Sequence, residues 1–124
     1  MEKTRTIAVV DDDETIRRAL DDLIHACGYG SALFATAEEF LAFDGRAGVD
    51  CILVDVKMPG MGGIELQLKL NADPPKPPMI FMTSNADDGT RAAAMAGGAF
   101  AFLRKPGEIH RLTDFMRLAL QQKP

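Results

Sequence analysis

Four short apolar runs constrain this chain more than any other feature: Thr6-Ile7-Ala8-Val9-Val10, Cys51-Ile52-Leu53-Val54, Met79-Ile80-Phe81-Met82 and Phe100-Ala101-Phe102-Leu103. Each reads as a strand buried on both faces, as a parallel sheet demands. A polar group follows each run: Asp11-Asp12-Asp13, Asp55, Thr83 and, one residue further on, Lys105. In an open parallel sheet, ligands bind outside the carboxyl ends of the strands. Residues far apart in sequence therefore meet at one edge: carboxylates, a hydroxyl and an ammonium. That set suits a divalent cation and a phosphoryl group.

Helical patterns separate the runs. Glu14 to Cys27 carries Ile16, Ala19, Leu20, Leu23, Ile24 and Cys27, a spacing of three and four that makes one apolar face. Asp13 is placed to cap it. Gly28-Tyr29-Gly30 ends it, and Ser31-Ala32-Leu33-Phe34 reads as a second strand. Thr36-Ala37-Glu38-Glu39 is a capping box that opens a helix through Phe43. Pro59-Gly60-Met61-Gly62-Gly63 is a loop on turn chemistry. Ile64 to Leu70 alternates like a strand. Its residues are mostly helix formers and a parallel crossover requires a helix there, so it is predicted helical. Pro74-Pro75-Lys76-Pro77-Pro78 reads as a stiff surface loop. Thr90 to Ala96 is an alanine-rich helix stopped by Gly97-Gly98, and a last helix runs from about Glu108 to Gln121.

Five βα units with right-handed crossovers predict a doubly wound α/β fold with strand order 2-1-3-4-5. The 124 residues suit one domain, spanning 1–124. Net charge is −4 and no basic block occurs, which argues against nucleic-acid binding by this domain. No apolar stretch reaches membrane-spanning length, and Met1 to Arg5 lacks the apolar segment of a signal peptide. The two cysteines fit no metal spacing, and Cys27 and Cys51 read as buried free thiols. A Cys27–Cys51 disulfide is the weaker alternative.

Carboxylates crowded at one strand edge repel unless they are protonated or hold a cation. Mg²⁺ takes oxygen ligands and keeps several waters, so one or two carboxylates, a backbone carbonyl and a phosphate oxygen would satisfy it. Asp55 is the central candidate for a nucleophile that forms an aspartyl phosphate. Thr83 offers a hydroxyl and Lys105 a mobile positive charge. Taken singly, each residue has a plainer reading. An acidic run after a strand suits a helix N-terminus, and Asp13 and Glu14 read that way. Thr83 alone would be a cap and Lys105 a surface lysine. Their coincidence at strand ends favours the site. His25 and His110 read as structural or solvated.

With these residues in view, the whole chain resembles the receiver domain of bacterial two-component response regulators. The resemblance rests on Val9-Val10-Asp11-Asp12-Asp13, Leu53 through Gly63, Met82-Thr83-Ser84 and Phe102-Leu103-Arg104-Lys105-Pro106, in this order and spacing. Ala37-Glu38-Glu39-Phe40-Leu41 resembles the FixJ-type branch. The resemblance implies that Asp55 accepts phosphate from a phosphohistidine on a sensor histidine kinase or histidine phosphotransfer protein. It implies Mg²⁺ held directly by Asp12, Asp55 and the Lys57 carbonyl, with Asp11 acting through water. Thr83 and Lys105 would hold phosphoryl oxygens, and Phe102 would be an aromatic switch that turns inward. The Lys105-Pro106 bond would be cis. The resemblance further implies a cytoplasmic switch rather than an enzyme. Its output face would be helix 4, strand 5 and helix 5, meeting a downstream effector or a second copy. It leaves both a stand-alone receiver and a piece of a longer regulator open.

Three positions depart from the family pattern: Gly107 after Lys-Pro, Gly97 before Gly98, and Ala101 where Asp is common. The first two predict loosened helix ends. The third argues against a salt-bridged dimer. A phosphohydrolase with an aspartyl nucleophile is a rival, but it would want a general acid where Lys57 stands. A flavodoxin-like nucleotide or flavin module is another. It would want a phosphate-cradling loop where three aspartates stand.

Overall fold

Alternate residues of a strand face opposite sides of its sheet, so a run that is apolar throughout needs cover on both sides. In the computed structural model, which describes residues 4–74, 76–84, 88–105 and 108–121, the apolar runs have that cover. Strands β1 (Thr6–Val10), β2 (Gly30–Phe34), β3 (Cys51–Asp55), β4 (Met79–Thr83) and β5 (Ala101–Arg104) form one sheet in the order β2-β1-β3-β4-β5. All four pairings are parallel. Helices α1 (Glu14–Ala26), α2 (Ala37–Leu41), α3 (Gly63–Asn71), α4 (Asp88–Ala96) and α5 (Leu112–Gln121) connect or follow the strands. The predicted doubly wound fold and strand order are both present.

The sheet separates two cores. Val10, Val54, Phe81 and Phe102 pack with Phe40 of α2, Leu66 and Leu70 of α3 and Ala94 of α4. Val9, Leu53, Ile80 and Leu103 pack with Leu20 and Ile24 of α1 and with Leu112 and Met116 of α5. Each fully buried large apolar side chain contributes about 1.5–3 kcal/mol. The helices thus cover opposite faces on either side of the β1–β3 pair. That pair is the switch point, and it opens a crevice at the strand ends.

Residues 64–70 are helical. Gly63, Leu66, Gln67 and Leu70 are the buried set, at spacings of three and four. Leu68 is left 60% exposed, and this outward leucine produces the apparent alternation. Helix α2 ends at Leu41 rather than Phe43, and a 3-10 turn follows at Asp44–Gly48. Before α5, Ile109–Arg111 is a 3-10 turn rather than the first turn of the helix. Cys27 corrects the expectation of two buried thiols: it lies just past the end of α1 and is exposed. Cys51 is buried, and burial pushes its thiol up to about 12. Both cysteines are free, so the disulfide alternative falls.

The end of α4 also differs from expectation. Gly98 takes a positive φ of 97° and stops the helix. Gly97, however, sits where α3 ties that end down. Gln67 Nε2 donates to the Ala94 carbonyl at 2.9 Å, and Asn71 Nδ2 donates to the Gly97 carbonyl at 2.9 Å. A Cβ on Gly97 would lie 2.4 Å from Gln67 Oε1, so glycine is required by close approach. The Lys105-Pro106 bond and Gly107 lie outside the described residues.

Candidate functional site

The site begins where β1 stops. Asp11 N continues the ladder by donating to the Phe34 carbonyl at 3.1 Å. The chain then turns into α1. Asp11 Oδ1 accepts from Asp13 N at 2.9 Å, and Asp13 caps α1 by accepting from Thr15 N and Ile16 N. Arg17, one turn into α1, donates from Nη1 to the Asp11 carbonyl at 2.7 Å. These contacts bury Asp11 completely while Asp12 stays exposed.

Asp55 ends β3 opposite Met82, and Val56 N donates to the Met82 carbonyl at 3.3 Å. Thr83, the next residue of β4, is buried. Lys105 N donates to the Thr83 carbonyl at 2.8 Å, which fixes the start of the lysine side chain beside the strand ends. Lys105 Nζ reaches Asp11 Oδ2 at 2.9 Å and Asp55 Oδ2 at 3.4 Å. Lys57 N donates to Asp55 Oδ1 at 3.2 Å. Carboxylate oxygens of Asp11, Asp12 and Asp55 lie within 4.8 Å of one another. The predicted carboxylates, hydroxyl residue and ammonium therefore lie together at one end of the sheet.

Burial raises the Asp55 carboxyl above its ordinary value. The Lys105 charge opposes that rise and the Asp11 charge adds to it. Burial alone would lower the Lys105 ammonium, but its hydrogen bond to Asp11 and the two carboxylate charges outweigh burial and raise it. Lys105 is thus firmly cationic, and Asp55 is a carboxylate held in a partly dry, crowded place. One ammonium facing three carboxylates leaves an excess of negative charge. A small divalent cation with oxygen preference fits this donor set.

After Asp55 the chain makes a tight loop and returns. Gly63 N donates to the Val56 carbonyl at 2.9 Å, and a Cβ on Gly63 would lie 2.5 Å from the Asp55 carbonyl oxygen. Lys57 lies in this loop with its side chain exposed. Phe102, at the expected switch position, has its ring in the core. It is 5% exposed and stacks on Phe81 with ring centroids 6.3 Å apart. Ala101 is buried, whereas Ala92, Ala93 and Ala96 of α4 are exposed. His25 and His110 are both exposed, and His25 contacts Asp21 and Ser31.

Sequence reasoning missed Arg17, Gln67 and Glu38. The first two serve as backbone tethers, and no motif signals a side chain that reaches a distant carbonyl. Glu38 had a signal. In the capping box only Glu39 is used, accepting from Ala35 N at 3.0 Å, while Thr36 Oγ1 accepts from Glu39 N. Glu38 is left over, and its carboxylate accepts from Met61 N at 3.3 Å.

Comparison with known proteins assigns the chain to a family. Residues 7–117 match the family described as response regulator receiver domain. The chain is 38% identical over 116 residues to the transcriptional regulatory protein FixJ of Bradyrhizobium diazoefficiens, covering 94% of this chain and 57% of FixJ. It is 33% identical over 118 residues to the response regulator protein TmoT of Ectopseudomonas mendocina, covering 95% of this chain and 54% of TmoT. The chain thus spans about half the length of these curated relatives. Among solved structures, the response regulator StyR superposes with a TM-score of 0.88 at 37% identity, covering 97% of this chain and 61% of StyR. The FixJ-N structure superposes with a TM-score of 0.86 at 28% identity, covering 99% of this chain and 98% of that one. Matched across nearly its full length in sequence and fold, the chain belongs to the response regulator receiver domain family.

Proposed function

We propose that this receiver domain is a phosphorylation switch in which Asp55 is the phosphoacceptor. The observation that carries the reading is the unequal use of the three clustered carboxylates. Asp11 is buried, with one oxygen on Lys105 and the other on Asp13 N. Asp12 is exposed at the rim. Asp55 lies between them in accessibility, at the end of a central strand. The Lys105 ammonium and the Lys57 amide orient its two oxygens.

An Asp55 oxygen attacks the phosphorus of a phosphohistidine on a sensor histidine kinase or histidine phosphotransfer protein. The new O–P bond forms as the N–P bond breaks, and the imidazole nitrogen keeps the electron pair and takes up a proton. Lys105 pairs with one phosphoryl oxygen, and the Thr83 hydroxyl donates to another. Asp12, Asp55 and the Lys57 carbonyl would hold Mg²⁺, with Asp11 acting through water. The ion, when bound, supplies neutralisation of charge on the phosphoryl oxygens. Water later hydrolyses the acyl phosphate, which resets the switch.

The output face is α4, β5 and α5. A cleft of about 230 Å³ opens there, lined by Arg91, Met95, Phe100, Glu108, Arg111 and Phe115 among others. The exposed Met95, and Arg111 stacked 5.4 Å from the Phe115 ring centroid, give this face apolar and cationic character. A downstream effector or a second copy of the chain would dock there after phosphorylation shifts α4. The relatives FixJ and TmoT suggest that such an output belongs to a longer regulator. Incubation with acetyl phosphate and Mg²⁺ followed by intact mass tests the reading. One phosphoryl group should appear on the wild-type protein and none on Asp55→Asn. Equal labelling of both would refute it.

A further inference from the structure

The loop of residues 56–62 carries Lys57, and its two ends are fixed differently. Gly63 closes the base through its hydrogen bond to the Val56 carbonyl. At the tip, Glu38 reaches over from α2. Its Oε2 accepts from Met61 N at 3.3 Å. Gly60 turns beneath the same carboxylate with a positive φ of 74°, and a Cβ there would lie 2.9 Å from Glu38 Oε2. The glycine therefore serves both the left-handed backbone and the approach of Glu38. Glu38 is free for this task because Thr36 and Glu39 cap α2 without it. Met58 is buried and Met61 packs against the core beneath the loop. The segment between the two anchors thus has little slack.

We infer that Glu38 is a positioning residue for the phosphoacceptor site: it clamps the loop tip and so fixes where the Lys57 carbonyl lies relative to Asp55. The inference rests on the phosphoacceptor and metal reading given above. It assigns the clamp to the hydrogen bond that Glu38 accepts, and not to its charge. An outer partner that orients a metal ligand is worth about 10–100-fold in metal affinity. Glu38 acts on the loop at Met61 rather than on the ligand itself, through a long and exposed contact, so the effect is at most the low end of that range.

Calorimetric titration of the whole chain with Mg²⁺ tests this, alongside amide hydrogen exchange at Met61. Glu38→Ala should weaken Mg²⁺ binding about tenfold and speed exchange at Met61. Glu38→Gln keeps an acceptor oxygen and drops the charge, so it should stay within about threefold of wild type in affinity. An affinity for Glu38→Ala within threefold of wild type overturns the inference. So does an equal loss in Glu38→Gln, which would make the effect one of charge. Neither readout needs phosphoryl transfer. Failure of wild-type Asp55 to take up phosphate would instead refute the function proposed above.

Discussion

Lys105 is held more closely by Asp11 than by the proposed phosphoacceptor, with Nζ 2.9 Å from Asp11 Oδ2. Asp11 is completely buried, so this ammonium is what permits a charged carboxylate there. Lys105→Met should lower stability by about 3 kcal/mol, because removing one partner strands the other charge. Adding Asp11→Asn should recover most of the loss. Urea unfolding of both single variants and the double variant measures the coupling.

Asp55 gives a pH dependence of definite sign. Burial raises its carboxyl above the ordinary value. Between that ordinary value and the raised one, the folded state binds more protons than the unfolded state. Stability attributable to Asp55 is therefore full at low pH and falls as pH rises through this window. Asp55→Asn removes the charge and should raise the melting temperature at pH 7 in chelator. The gain should vanish below the ordinary carboxylate value. Thermal melts of both proteins from pH 3 to pH 8 provide the check.

The three carboxylates that crowd within 4.8 Å predict a response to metal. Millimolar Mg²⁺ should raise the melting temperature of the wild-type protein, since it binds the native state alone. Asp12→Ala should melt higher than wild type without metal, having lost a like charge, and should gain much less from Mg²⁺. Scanning calorimetry with and without Mg²⁺ reads both effects.

The C-terminal end of α4 should behave as a tied end. Gly97→Ala places a methyl 2.4 Å from the Gln67 amide oxygen, which is buried and has no hydrogen-bond partner among the described residues. Gln67 must then give up its bond to the Ala94 carbonyl or displace the helix, a cost of about 1–3 kcal/mol. Hydrogen exchange at positions 97, 98 and 99 should accelerate in that variant, since the amides there bond to carbonyls at 93–95.

Most of the fold was legible because the sheet is buried on both faces. Continuous apolar runs such as Cys51 to Val54 have few other solutions, and crossover handedness leaves a short set of doubly wound strand orders that includes 2-1-3-4-5. The grouping of the candidate residues was legible for the same reason, since strand ends place Asp11, Asp55, Thr83 and Lys105 at one edge. What was not legible depends on single side chains crossing between elements. Gln67 lies in a segment whose leucines alternate, so nothing marked it as the tether of α4. Gly97 read as a loosening residue because composition does not reveal the amide packed against it. Cys27 continued an apolar stripe on paper, but α1 ends one residue before it.

In the function proposed above, the Asp55 carboxylate itself carries the phosphoryl group. Borohydride reduces an acyl phosphate to the alcohol and would convert a phosphorylated aspartate to homoserine. Protein treated with acetyl phosphate and Mg²⁺, then borohydride, should show homoserine at position 55 by peptide mass spectrometry. Asp55→Asn protein should show none at any position. Homoserine at Asp11 or Asp12 in the wild-type protein, with Asp55 unmodified, would contradict the account.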